Sequence, residues 1–298
     1  MWFWLILGSA SLWALIEVYA SALVHRYRLS SFSFLWIQSC TSVLLLLTLA
    51  AFLPLRIAHI PVIVVFALSG YLGDLFFYRL LKHLDISIVN AGWALLALLL
   101  SAVGFLFFGE SWSFPETAGA VLILSGVLML SFFHAHVSFV RTMGSLVCMA
   151  LLYAPLYVVR KWALMQGVPV PALYFWLFIG RDVPAFICPL LLPSKRRFLA
   201  SELSPFLSIC FFLLNAFPVL VCYVAEYFTI RAYATGPISL ISVTANAQPF
   251  LVIALAWVFI RSFPHLVPKE LLTWQSVSIK VVSFSIVFLG LALLASSQ

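Results

Sequence analysis

Ten apolar stretches, each close to the length of a membrane-crossing helix, dominate this chain of 298 residues. They fall near 2–24, 32–53, 60–80, 86–108, 115–133, 143–162, 171–192, 205–230, 236–260 and 275–295. A helix needs about 20 apolar residues to cross a hydrocarbon core, and the connections are mostly too short to fold by themselves. Composition agrees: 65% of the residues are hydrophobic and 8% charged, against about 45–50% and about 25% in an average soluble domain. The pattern predicts an all-α integral membrane protein with ten transmembrane helices. The first stretch opens Met1-Trp2-Phe3-Trp4, with no basic segment before it and no small-residue cleavage motif after it, and reads as a retained span.

The charges that remain exclude several functions. The net charge of +7 comes from Lys and Arg placed chiefly at stretch ends, where long basic side chains reach lipid headgroups. The partner this implies is the bilayer, and no nucleic acid is expected. Cys40, Cys148, Cys188, Cys210 and Cys222 lie in apolar stretches without CxxC spacing and read as packing residues. His134 and His136 form a close pair with no third ligand nearby, so neither a metal nor another cofactor is expected. HExxH and GxSxG patterns are absent, as is a phosphate-binding loop, so the chain reads as neither an enzyme nor an ATP-driven pump.

The chain also repeats itself. At an offset of 152, Tyr71, Phe76, Arg79, Ile86 and Ser87 meet Tyr223, Phe228, Arg231, Ile238 and Ser239, with Asp74 opposite Glu226. At 136, Gly8, Ser9, Ala14 and Leu15 meet Gly144, Ser145, Ala150 and Leu151; at 140, Trp36 meets Trp176. Gly126 in LILSGVLML matches Gly290 in IVFLGLALL. Matched acids and arginines inside membrane stretches are rare, which argues for duplication of a five-helix unit, residues 1–135 and 136–298. Five spans per unit is an odd number, so the second unit enters the membrane the opposite way round. Such inverted repeats build many secondary transporters, with the site near the midplane between the halves.

The run GYLGDLFFYRLLKHLDISIVNAGWALLALLLSAVGFLFFGESWSFPETAGAVLILSGVLML resembles the EamA-like module of the drug/metabolite transporter superfamily. It has a tyrosine-bearing third span, a short connection, an apolar fourth span closing on Gly109-Glu110, and a fifth span carrying Gly126. The second half repeats it as YFTIRAYATGPISLISVTANAQPFLVIALAWVFI, with a family-like Pro249, and Arg181 stands where such modules often carry an arginine. Arg261-Ser262 replaces the Gly-Glu pair in the second half, and Thr41 stands opposite Arg181. The resemblance implies a transporter of a small metabolite, an amino acid or related amine or zwitterion, moved outward by alternating access. A multidrug or organic-cation exporter is the alternative, and a non-transporting receptor or lipid-handling partner is a third reading. The implied location is the cytoplasmic (inner) membrane, as a monomer or weak homodimer.

An ionisable side chain at the centre of a membrane helix costs about 2.5–3.5 kcal/mol on insertion scales and usually faces protein or a water-filled cavity. Glu17, Asp74, Arg181, Asp182 and Glu226 are the candidates. Their acidic excess suits a cationic or zwitterionic solute, or a proton as coupling ion. Tyr71 and Tyr223 precede Asp74 and Glu226 by three residues, a spacing that shares a helix face and predicts an acid-plus-phenol pair in each half. Arg181 and Asp182 are adjacent and are expected on different faces, tying helices together. The ninth stretch is unusually polar at Ser242, Thr244, Asn246 and Gln248 before Pro249; proline frees a carbonyl one turn earlier, and such breaks often line transport paths. Asn90 and Trp93 occupy the equivalent part of the fourth stretch, and Tyr153 the place in the sixth that Glu17 holds in the first.

The substrate-binding set is therefore Glu17, Asp74, Asn90, Trp93, Tyr153, Tyr223, Glu226, Asn246 and Gln248. Tyr71, Arg181, Asp182 and Pro249 are read as structural or gating residues. Each also has a plain packing role open to it, because polar side chains bond helix to helix in membranes. Glu110 reads as a helix cap. The resemblance implies cytoplasmic termini, whereas ten Lys and Arg residues in odd-numbered connections against four in even-numbered ones favour termini outside.

Overall fold

The computed structural model describes residues 1–27, 30–50, 60–83, 86–132, 139–191, 199, 209–252, 254–255 and 274–296. His134, His136 and Arg261-Ser262 lie outside the described residues, as do the side chains of Asn90 and Cys210. Among the described residues there are ten helical segments and no strand. They are α1 (Trp2–Tyr27), α2 (Ser31–Ala50), α3, α4 (Ile86–Phe107), α5 (Phe114–Phe132), α6 (Phe139–Met165), α7 (Val170–Leu191), α8 (Ile209–Thr235), α9 (Ile238–Ala245) and α10 (Trp274–Ser296). The third, α3, runs as Ile60–Val65, a π-helical turn Phe66–Gly70, and Tyr71–His83. Five of the ten are long and apolar enough to cross a membrane, and the others carry shorter apolar stretches. Leu47, Leu106, Phe107, Leu213 and Phe288 are more than 60% exposed. Helices that satisfy their own backbone while presenting such side chains outward are what a hydrocarbon solvent requires, and the chain is a membrane α-helical protein.

Local chemistry sets the helix ends. Ser113 caps α5, and Glu116 reaches back to accept from the Ser113 backbone N–H at 2.7 Å and its hydroxyl at 2.6 Å, a capping box in the sequence Ser-Phe-Pro-Glu. Gly167, at φ +79°, closes α6: its N–H donates to the Leu164 carbonyl and that of Val168 to the Ala163 carbonyl, a Schellman turn that needs a residue free to be left-handed. The Glu110 carboxylate caps α9, accepting the Ile238 N–H at 2.6 Å and the Ser239 N–H at 3.0 Å. The carboxylate thus sits on the positive end of a helix dipole.

Packing follows a regular plan. In the described residues α1 lies against α8 and α9, and α6 against α3 and α4. Helix α2 touches α7 and α8, and α7 touches α2 and α3; α4 pairs with α9 and α5 with α10. The α5–α10 contact brings backbone close to backbone. A Cβ on Gly119 would stand 2.8 Å from the Gly290 carbonyl oxygen, and one on Gly290 2.7 Å from that of Gly119. Gly126 approaches the Ser283 carbonyl in the same way, so small residues seven apart on antiparallel helices let the backbones touch.

Candidate functional site

A cavity of about 170 Å³ lies at the centre of the bundle, lined from α1, α2, α3, α4, α6, α7, α8 and α9. Of the charged candidates, Glu17, Asp74, Arg181, Asp182 and Glu226 all reach its wall, joined by Trp93, Tyr153, Asn246, Gln248 and Pro249. Tyr71 and Tyr223 are not among the lining residues.

The polar groups fall into three assemblies. In the first, the Arg181 Nε donates to Asp182 at 2.8 Å and stands 3.6 Å from Asp74, and Tyr153 donates its hydroxyl to Asp74 at 2.6 Å. Ser42 donates to the second Asp182 oxygen and shares a 2.8 Å bond with the Tyr223 hydroxyl. Arg181 also lies over the Phe178 ring, its guanidinium carbon 5.0 Å from the centroid. In the second, Arg160 pairs with Glu226 at 3.1 Å, and the guanidinium lies near the Tyr157 and Tyr233 rings, whose faces attract a cation. In the third, Gln248 donates to Glu17 at 2.7 Å.

This corrects three expectations. The phenol on Asp74 is Tyr153, from the other half of the chain, and not Tyr71; Glu226 holds a guanidinium and not Tyr223. The three-residue spacing is real, but the nearer partner across a helix interface won. Tyr223, read as substrate-binding, turns to Ser42 and stacks on Phe178 at 3.8 Å between centroids. Arg181 and Asp182 do not diverge: a long side chain folds back across one residue and bonds its neighbour. Arg160 escaped the sequence reading, which counted it with Lys161 among the four basic residues of the even-numbered connections although it falls at the end of the stretch 143–162; helix α6 runs on to Met165 and Arg160 is fully buried.

Helix α9 breaks where Pro249 requires. The Asn246 N–H bonds the Val243 carbonyl and the Ala247 N–H that of Thr244, each at 3.0 Å, a tightened last turn. The Asn246 amide donates to the Ser242 carbonyl at 2.8 Å and reaches the Trp93 carbonyl at 3.4 Å. Four buried atoms of the lining residues have no hydrogen-bond partner: Glu226 Oε2, which stands in ion contact with Arg160, and Glu17 Oε2, Asn246 Oδ1 and Trp93 Nε1, which have no such contact. Buried polar groups are ordinarily paired, so the last three mark where a solute can bond. Among the described residues no group of three His, Cys, Asp or Glu could hold a metal.

No family model matches the sequence, and no curated protein matches it. Among 28 solved chains that match by shape is a crystal structure of a protein, similar over 98% of this chain and 95% of that one with a TM-score of 0.61. At 15% identity the likeness shows the fold alone.

Proposed function

We propose that this chain is a secondary transporter of the drug/metabolite transporter type, moving an amino acid or a related amine across the membrane by alternating access. The single observation that carries the reading is the central cavity, walled by four carboxylates and by helices from both halves. Ionisable side chains inside a membrane bundle are costly and rare, and they mark substrate, ion or proton pathways.

The helix contacts support an inverted repeat of residues 1–135 and 136–298. Exchanging α1–α5 with α6–α10 turns α1–α8 into α6–α3, α1–α9 into α6–α4 and α2–α8 into α7–α3, while α2–α7, α4–α9 and α5–α10 map onto themselves; every one of these contacts is present. Rocking one half on the other would open the cavity to each side in turn. A proton carried by a cavity carboxylate is the coupling ion that fits, and the cytoplasmic membrane is the proposed location. An organic-cation exporter is the second reading, favoured by four carboxylates facing two guanidiniums.

Thermal unfolding of the detergent-purified protein, against amino acids, amines, nucleosides and drug-like cations, tests the reading. A ligand at 100 times its Kd, binding only the folded form, adds about 2.7 kcal/mol of stability. A shift that disappears in Glu17→Gln supports the cavity. A folded protein that responds to no compound contradicts it, and a receptor or lipid-handling role moves ahead.

A further inference from the structure

Charge pairing around the cavity is unequal. Arg160 is taken up by Glu226 at 3.1 Å. Arg181 stands between Asp182 at 2.8 Å and Asp74 at 3.6 Å, so one guanidinium faces two carboxylates. Glu17 has no cation at all among the described residues, only the Gln248 amide. Two carboxyl groups therefore have no cation of their own among the described residues, one at each of two places: Glu17 on α1, and one of the Asp74–Asp182 pair on α3 and α7.

The two places are joined by a continuous wall. Gln248 holds Glu17, Asn246 two residues earlier reaches the Trp93 carbonyl, the Trp93 and Tyr153 rings lie 4.8 Å apart, and Tyr153 bonds Asp74. An aromatic pair thus separates two acidic poles. At the Glu17 pole, Glu17 Oε2 and Asn246 Oδ1 are unpartnered acceptors on side chains 7% and 3% exposed, which suits an ammonium group with several protons to donate. Arg181 is engaged by two carboxylates and Arg160 does not line the cavity, and Trp93 Nε1, the one fully buried unpartnered donor among the described lining residues, is neutral and cannot neutralise a carboxylate.

We propose that the preferred solute of this cavity is an aliphatic diamine, a dication with one ammonium group on Glu17 and Asn246, the other on the Asp74–Asp182 pair, and its methylene chain across Trp93 and Tyr153. This rests on the transporter reading for its physiological sense but not for its test.

The test measures binding of cadaverine, pentylamine and norleucine to the purified protein by titration calorimetry, with flux of the same compounds in proteoliposomes. Cadaverine should bind at least ten-fold more tightly than pentylamine, with norleucine weakest, and Glu17→Gln should bring cadaverine down to the level of pentylamine. Equal binding of cadaverine and pentylamine, tightest binding of norleucine, or binding of none of the three overturns the proposal. If Glu17→Gln does not fold, the three ligands on the unaltered protein decide alone. Cadaverine bound but not moved contradicts transport and leaves the diamine site standing; norleucine moved while cadaverine is neither bound nor moved overturns the diamine site and leaves transport standing.

Discussion

Arg160 is fully buried beside Glu226, with the Tyr157 and Tyr233 rings as its other neighbours. Removing one member of such a pair leaves an uncompensated charge and costs about 3–5 kcal/mol. Arg160→Ala is accordingly expected to unfold at markedly lower denaturant or temperature in detergent; an unchanged midpoint would remove Arg160 from the framework. Glu17 differs, because its carboxylate has no ion partner and Gln248 can donate equally to an amide oxygen. Glu17→Gln should keep stability within about 1 kcal/mol, the scale of one hydrogen bond, because the isosteric amide oxygen still accepts from Gln248, while losing the ligand response; unfolding curves with and without ligand separate the two. The acids were legible in the sequence because carboxylates are conspicuous in apolar stretches. Arg160 was not, since a basic pair near a stretch end looks like an ordinary headgroup anchor. The signal lay in Glu226, a mid-stretch acid that needs a counter-charge.

Three helices of the second half contain interior prolines, Pro155 in α6, Pro184 and Pro189 in α7, and Pro218 in α8, and side chains from the first half bond their backbones close by. The Ser69 hydroxyl, from the π-helical turn of α3, donates to the Leu152 carbonyl and accepts the Leu156 N–H at 3.2 Å, so it stands inside one rung of the α6 ladder beside Pro155. Pro218 cannot bond the Leu214 carbonyl four residues back; Tyr19 donates to it instead at 3.1 Å. Trp36 donates to the Phe186 carbonyl, three residues before Pro189, at 3.1 Å. Ser69→Ala leaves a buried donor and acceptor unmet, an expected cost of about 1–3 kcal/mol, and amide exchange at Leu156 should speed up. Slowed exchange there would contradict the splice. Gly290→Val puts a side chain against the Gly119 carbonyl, and overpacking of about 1–3 kcal/mol should follow, read as a lower unfolding midpoint. The prolines were visible in the sequence, but their donors were not. Ser69 is 83 residues from Leu152 and Tyr19 is 195 from Leu214, and no local pattern links them.

At the scale of the whole molecule, the ten helices and their order were legible, because hydropathy in a membrane reports directly on which backbone must be helical. The cavity was legible only as a set of candidate residues. Which acid pairs with which base depends on the approach of helices far apart in the chain, and periodicity carries no record of that. The larger helix contacts, the surplus of carboxyl groups over guanidiniums and the unpartnered acceptors at the cavity bear on the proposed function, that a small amine crosses the membrane through this cavity. Counterflow tests it most directly. Proteoliposomes holding the purified protein are loaded with unlabelled cadaverine and diluted into labelled tracer. The account predicts a transient overshoot of tracer inside, absent from vesicles carrying folded Glu17→Gln. Folded wild-type protein giving no overshoot, with cadaverine or with any amine or amino acid that binds it, would contradict the account.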